Sequence, residues 1–349
     1  MRFVFLGFLL ACVGLVGCVP RSEKDVVVYS ALDEDFAFPM LDAFERKVDY
    51  DINVISKFDV ESTKTVGLVN QIMAEQDRAR CDLFWNNEIL HTVRLQKLGL
   101  LARHDWQVPK DWPVDMIASD STWCGFAARA RVLLVNTDRL KSAVDSAESG
   151  KSAVYPSSVS ELSDAKWKDD CAIARPLFGT TATHFAVLRE LLGREAALAQ
   201  LQAIADNALV LSGNKQVAQA VSAGRVAWGL TDTDDAMIEK DLGYPVEIVF
   251  PDQQPDQLGA LRIPNTLAIL KNAPHPVAAS RLADYLMTPE TEDRLAMGRS
   301  SQLPISKESK FPPAVLPSTP VRWMRADFEA AAEGWDEWAA DVARIYADQ

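Results

Sequence analysis

Histidine is nearly absent from this chain, with four in 349 residues, and cysteine is scarce at five. No pair of cysteines has CxxC spacing, and no histidine stands where it would complete a zinc site with them. Positive charge is in deficit. Thirty-six Lys and Arg face 49 Asp and Glu, a net charge of −13. Nucleic acid needs a basic surface, so this balance excludes it as a partner. The GxSxG elbow, the HExxH helix and the Walker A loop are all missing, which removes the usual signatures of hydrolases, zinc proteases and P-loop ATPases. Beyond residue 16 no run reaches about 18 consecutive apolar residues, so nothing in the body of the chain reads as a membrane span.

What is present points to a large core. Hydrophobic residues make up 48% of the chain, and its length suggests two domains. The N-terminus reads as a targeting segment: Met1-Arg2, then an apolar stretch from Phe3 to Val16. Leu15-Val16-Gly17-Cys18 resembles the bacterial lipobox. Residues 1–17 are therefore expected to be a signal peptide, with Cys18 lipidated and holding a monomeric body outside the cytoplasmic membrane, periplasmic or at the cell surface. Cys12 leaves with the leader. Cys81, Cys124 and Cys171 then allow one disulfide and one leftover thiol, or stay as buried free thiols.

The body alternates strands and helices, which implies an α/β fold with parallel pairing. Residues 26–30, 52–55, 82–85, 123–127, 131–136, 171–174, 226–230, 246–251 and 264–270 read as strands. Helical spacing runs through 38–48, 63–76, 88–98, 184–192, 195–205, 215–222, 277–287 and 321–346. One stretch stands out. Val226 to Leu230 is a short buried strand that opens into Thr231-Asp232-Thr233-Asp234-Asp235. Carboxylates at the carboxyl end of such a strand lie where open α/β sheets bind ligands. Three acids in four residues also repel one another unless a cation or positive group compensates them. Asp232 or Thr233 could instead simply cap the helix that follows.

Val28-Tyr29-Ser30, the run from Trp123 to Val132 with its Arg129-Ala130-Arg131-Val132 end, Asn136-Thr137-Asp138, and Ser160 to Lys168 resemble the extracellular solute-binding proteins of bacterial ABC importers, in particular the ferric-iron-binding branch. The resemblance implies a two-lobed periplasmic-binding-protein (Venus flytrap) fold of mixed, mostly parallel sheets flanked by helices, with a helical C-terminal tail. It implies one lobe from residues 26–128 plus 251–349, another from 129–250, and a ligand cleft between them. It implies a permease and its ATPase as partners, and no enzymatic turnover. Iron-binding members supply adjacent tyrosines from the turn after the strand singled out above. Here Asp234 and Asp235 stand near those places, Asp33 stands near a family histidine, and Asn87 and Glu88 stand near a family glutamate.

Two chemistries suit the cleft. Asp33, Glu88, Asp234 and Asp235, with Asp232, offer oxygen ligands to iron or another hard cation carried as cargo rather than as a cofactor. Alternatively the acids hold an amine or polyol. Arg129, Arg131 and the hydroxyls of Thr180, Thr181 and Thr183 then hold a carboxylate or phosphate. A metal with an accompanying anion would use both halves. The arginines could also only bridge strands, and the threonines only start a helix. A surface enzyme with a metal at the acid cluster is the rival class.

Overall fold

A computed structural model describes residues 24–47, 49, 51–58, 64–110, 112–146 and 155–347, without the side chains of 64 and 142–146. The expected signal peptide and Cys18 lie outside these residues. The elements run β1 (Asp25–Ser30), α1 (Glu34–Glu45), β2 (Asn53–Phe58), α2 (Lys64–Ala74), β3 (Leu83–Asn86), α3 (Ile89–Lys97) and β4 (Cys124–Asn136). Next come α4 (Thr137–Ser146), β5 (Cys171–Ala174), α5 (Gly179–Leu192), α6 (Arg194–Asn207), β6 (Leu209–Leu211), α7 (Asn214–Ser222) and β7 (Trp228–Asp232). The chain ends with α8 (Thr233–Asp241), β8 (Val246–Val249), β9 (Arg262–Ile269), α9 (Pro276–Leu286), α10 (Pro289–Met297), α11 (Phe328–Ala332) and α12 (Trp335–Ile345). Among the described residues no helix is long and apolar enough to cross a membrane.

The strands follow the order β2-β1-β3-β9-β4-β7-β5-β6, with β8 on β4. The β-branched run Val26-Val27-Val28 favours a strand, and β1 pairs in parallel with β2 and β3. Strands β5, β6 and β7 are parallel as well. Every antiparallel pairing involves β4 or β9, so the sheet is more evenly mixed than expected. β4 holds the molecule together. Cys124–Ala130 pairs with β9 in a first half-sheet, and Arg131–Asn136 pairs with β7 and β8 in a second. All thirteen of its residues are buried.

The sequence pattern suggested two strands here because the register slips between Phe126 and Ala128. Ala127 carries φ +33°, a left-handed conformation that a non-glycine residue adopts rarely. The bulge is held by buried Glu292, whose carboxylate accepts from the Ala127, Ile305 and Ser306 amides.

α5 also begins earlier than the pattern implied, at Gly179 rather than His184. Threonines are modest helix formers, and local propensity reads the segment as a loop. Their hydroxyls are consumed by tertiary partners, which overrides it. The tail is interrupted by Glu333-Gly334, with Gly334 at φ +61°, so it forms α11 and α12 rather than one helix. α11 lies against α3 and α5, and α12 against α6.

Both faces of the sheet are apolar. Val28, Phe44, Trp85, Phe126 and Leu134 pack in one core, and Phe84, Leu90, Phe185, Leu201 and Trp228 in the other. Each such side chain contributes roughly 1.5–3 kcal/mol on burial. The three described cysteines are free and buried, so no disulfide forms among them.

Candidate functional site

The site begins with strand register. Arg131 on β4 stands directly opposite Asp232 at the end of β7. Both side chains are fully buried, and Arg131 Nη1 lies 2.6 Å from Asp232 Oδ1. Residues two apart on a strand share a face. Arg129 therefore points the same way as Arg131. Its Nη1 lies 3.3 Å from Asp232 Oδ2 and 3.1 Å from Asp234 Oδ2.

Helix starts complete the cluster. Thr180 donates to Asp232 Oδ2 at 2.5 Å, and Asn214 Nδ2 donates to the same oxygen at 2.9 Å. Arg131 reaches Thr180 and Asn214 Oδ1, both at 3.1 Å, and Thr181 at 3.0 Å. Asp232 thus accepts from four donors, which fills the capacity of a carboxylate. It occupies the cap position of α8 without capping it through its side chain.

The electrostatics follow from this packing. Burial alone would raise the Asp232 carboxyl, yet Arg131, Arg129 and the Thr180 hydroxyl hold it below its usual range. Asp234 is held above its usual range by burial, with Asp232 and Asp33 adding repulsion against the pull of Arg129. Burial works against the Arg129 charge, but Asp234, Asp232, Asp33 and Asp235 stabilise it. Asp232, Asp234 and Asp235 each place a carboxylate oxygen within 4.8 Å of the others.

One side chain keeps unused donors. The Arg129 side chain is only 8% exposed, and its Nε and Nη2 have no hydrogen-bond partner. A buried guanidinium N–H without an acceptor is costly, and these donors are free to take one. Arg129 lines a narrow cleft of about 30 Å³ with Asn87, Arg175, Phe178, Thr180, Ser212 and Asn214. The starts of α5 and α7 both open into it, where helix N-termini favour negative charge.

The remaining expected residues divide. Asn87 lines this cleft from the first half-sheet and accepts a long hydrogen bond from Thr65 at 3.5 Å. Asp33 is exposed at the start of α1 and acts on Arg129 and Asp234 through its charge. Glu88 is engaged elsewhere. Its carboxylate accepts from the Leu90 and His91 amides, capping α3, and from Thr183 at 2.7 Å and Asn86 at 3.3 Å. Those four donors leave it no free lone pair for a metal. His184 is fully buried, neither ring nitrogen has a partner, and burial with nearby Arg131 pushes it down to about 3, so it is neutral. No tyrosine lines the cleft among the described residues.

Arg175, Phe178, Ser212 and Asn214 were not anticipated. Parallel β5, β6 and β7 end on the same side of the sheet, so their following residues converge. That rule could have found Asn214, which directly follows Ser212-Gly213 after β6.

Glu88 gives a pH test. Burial raises its carboxyl to about 7, against the hydrogen bonds that lower it. A raised carboxyl favours the native state while neutral, and that contribution disappears as pH rises from the unfolded value through about 7. From about pH 5 to about pH 8, the wild type should lose on the order of 3 kcal/mol more stability than Glu88→Gln. Urea denaturation of both across this range measures it, and parallel slopes would refute it.

The geometry defines a class: an α/β ligand-binding protein with its cleft where two half-sheets meet, at the carboxyl ends of parallel strands. Residues 82–330 match the family model for bacterial extracellular solute-binding proteins, and the chain belongs to that family. It is 26% identical over 209 residues to an Fe(3+)-binding periplasmic protein of Serratia marcescens, covering 60% of this chain and 57% of that one. It spans 57–61% of the length of the curated relatives it matches.

Solved structures share the whole fold, which is two-lobed. Iron-bound HitA from Pseudomonas aeruginosa superposes with a TM-score of 0.75 at 20% identity, over 92% of this chain and 99% of that chain. The periplasmic binding protein AfuA from Actinobacillus pleuropneumoniae, with exogenous fructose-6-phosphate bound, gives 0.77 at 19%, over 93% and 100%.

Proposed function

We propose that this protein is the solute-binding component of an ABC importer, tethered outside the cytoplasmic membrane through Cys18. It captures a hard cation together with a small oxyanion and delivers both to a permease driven by its ATPase. The observation that carries this reading is Arg129: buried, electrostatically locked by acids, lining the cleft, and with two N–H groups that have no acceptor. The anion takes those N–H groups and the starts of α5 and α7. The cation lies on the acidic side, at Asp234 and Asp235 with Asp33 nearby. Carboxylate oxygens suit a hard ion such as ferric iron, the cargo named for the relatives. With Asp232 committed to Arg131, and Glu88 to α3 and Thr183, the ion has fewer protein ligands, and the anion supplies the rest.

Capture works by closure. The half-sheets act as lobes hinged at β4, and ligand stabilises the closed form by binding it better than the open form. The protein performs no turnover. A second reading has its own support. The guanidinium groups of Arg129 and Arg131 within 3.3 Å of the acids already neutralise much of their charge, which favours a phosphorylated or carboxylated organic solute.

Elemental analysis of the purified protein, beside a thermal-shift screen, separates them. Stoichiometric iron, or a large upward shift with iron plus phosphate, is the expected result. No metal, with a shift from a sugar phosphate alone, would replace the cation reading with the organic one.

A further inference from the structure

We propose that the C-terminal segment from Asp327 to Tyr346, expected in the first lobe with the rest of 251–349, is instead a strap, fixed to the second lobe and releasable from α3 of the first, that limits how far the cleft opens. This rests on the lobes being hinged and is independent of the cargo. The approach to the strap is closely fitted. Residues Arg322 to Met324 run beside Ala260, exchanging backbone hydrogen bonds of 2.9 Å in both directions. Gly259, at φ +91°, permits this, since a Cβ there would stand 2.7 Å from the Arg322 carbonyl oxygen.

The strap then crosses α3 of the first lobe and α5 and α6 of the second. These contacts are of different kinds. On the second lobe, Arg189 donates to the carbonyls of Ala330, Ala331, Glu333 and Gly334. Trp338, Val342 and Tyr346 are buried, and the Tyr346 hydroxyl donates to the Leu201 carbonyl at 3.2 Å. Arg194 pairs with Asp341. On the first lobe α11 packs against α3 as well, and the side-chain pairs there are charged. Arg94 meets Asp336 at 2.7 Å, and Lys97 meets Glu333 at 3.2 Å, with both acids largely exposed. His91 adds an edge contact to Trp335 at 5.3 Å. The exposed acids of these pairs can exchange their partners for water, and Trp335 is the one buried aromatic described on this side against Trp338 and Tyr346 on the other.

The helices joined in this way are the ones that opening must separate. α3 follows Asn87, and α5 carries Thr180; both residues line the cleft. A side-chain hydrogen bond between the starts of these helices, Thr183 to Glu88 at 2.7 Å, also joins them. Grooves of about 410 Å³ beside Val114, Trp123 and Phe328, and about 480 Å³ beside Gly334 and Trp338, leave room for the strap to shift.

The test uses the full chain without ligand, so it does not depend on what the cleft binds. Spin labels go on cysteines introduced at the exposed positions Lys57 and Gln202, the described native cysteines being buried. Pulsed electron resonance then reads the interlobe distance. Arg94→Ala with Lys97→Ala should lengthen the mean distance by several ångströms. Arg94→Asp with Asp336→Arg, which keeps the pair with its charges exchanged, should restore the wild-type distance. An unchanged distance in the alanine variant, or a lengthened one in the charge-exchanged variant, overturns the strap.

Discussion

Arg131→Ala is expected to lower stability by about 3–5 kcal/mol, because it leaves the fully buried Asp232 carboxylate without its closest positive partner. Against a typical total of roughly 5–15 kcal/mol, that is enough to bring the protein near unfolding at body temperature. The loss is larger than the single ion pair suggests, since Thr180, Thr181 and Asn214 also lose their common donor. Asp232→Asn alone strands the Arg131 charge in the same way. Combining Arg131→Met with Asp232→Asn removes both charges and should recover part of the loss. A coupling of at least ~2 kcal/mol in that double-mutant cycle is expected from denaturant titration. Additive losses would show that the pair is not the keystone of the second lobe.

The second large effect concerns binding. Asp234→Ala together with Asp235→Ala should abolish cation capture while the fold persists. Neither residue pairs with the fully buried Arg131 in the salt bridges described, and both lie in the first turn of α8, where alanine is a good helix former. Removing two acids also frees Arg129 from Asp234. Retention of oxyanion with a normal thermal transition and no retained metal would place the two acids on the cation side. Unchanged metal affinity would remove them from the site.

The Arg129 and Arg131 spacing and the acid-rich turn were visible in the sequence, because a strand's two-residue period and the sheet-end rule locate them. Their division of labour was not. Register set Arg131 opposite Asp232 and left two Arg129 N–H groups without an acceptor. Glu88 was a candidate oxygen ligand in the sequence, and its engagement by Thr183, from a helix 95 positions later, could not be read there. The start of α5 was hidden because its threonines are ordered by distant partners rather than by helix propensity. Arg175, Phe178 and Asn214 meet only because β5, β6 and β7 align, and nothing local to any of them announces it. The tail read as one helix until Gly334 broke it, and its reach across α3, α5 and α6 has no trace in local sequence.

The most direct test of the account is calorimetric titration of the metal-free protein with ferric iron, with and without phosphate. The account predicts one ion bound per protein, tight only when the oxyanion is present, with Arg129→Ala losing that dependence. Equal binding of iron without any anion, or no heat with iron under either condition, would contradict it.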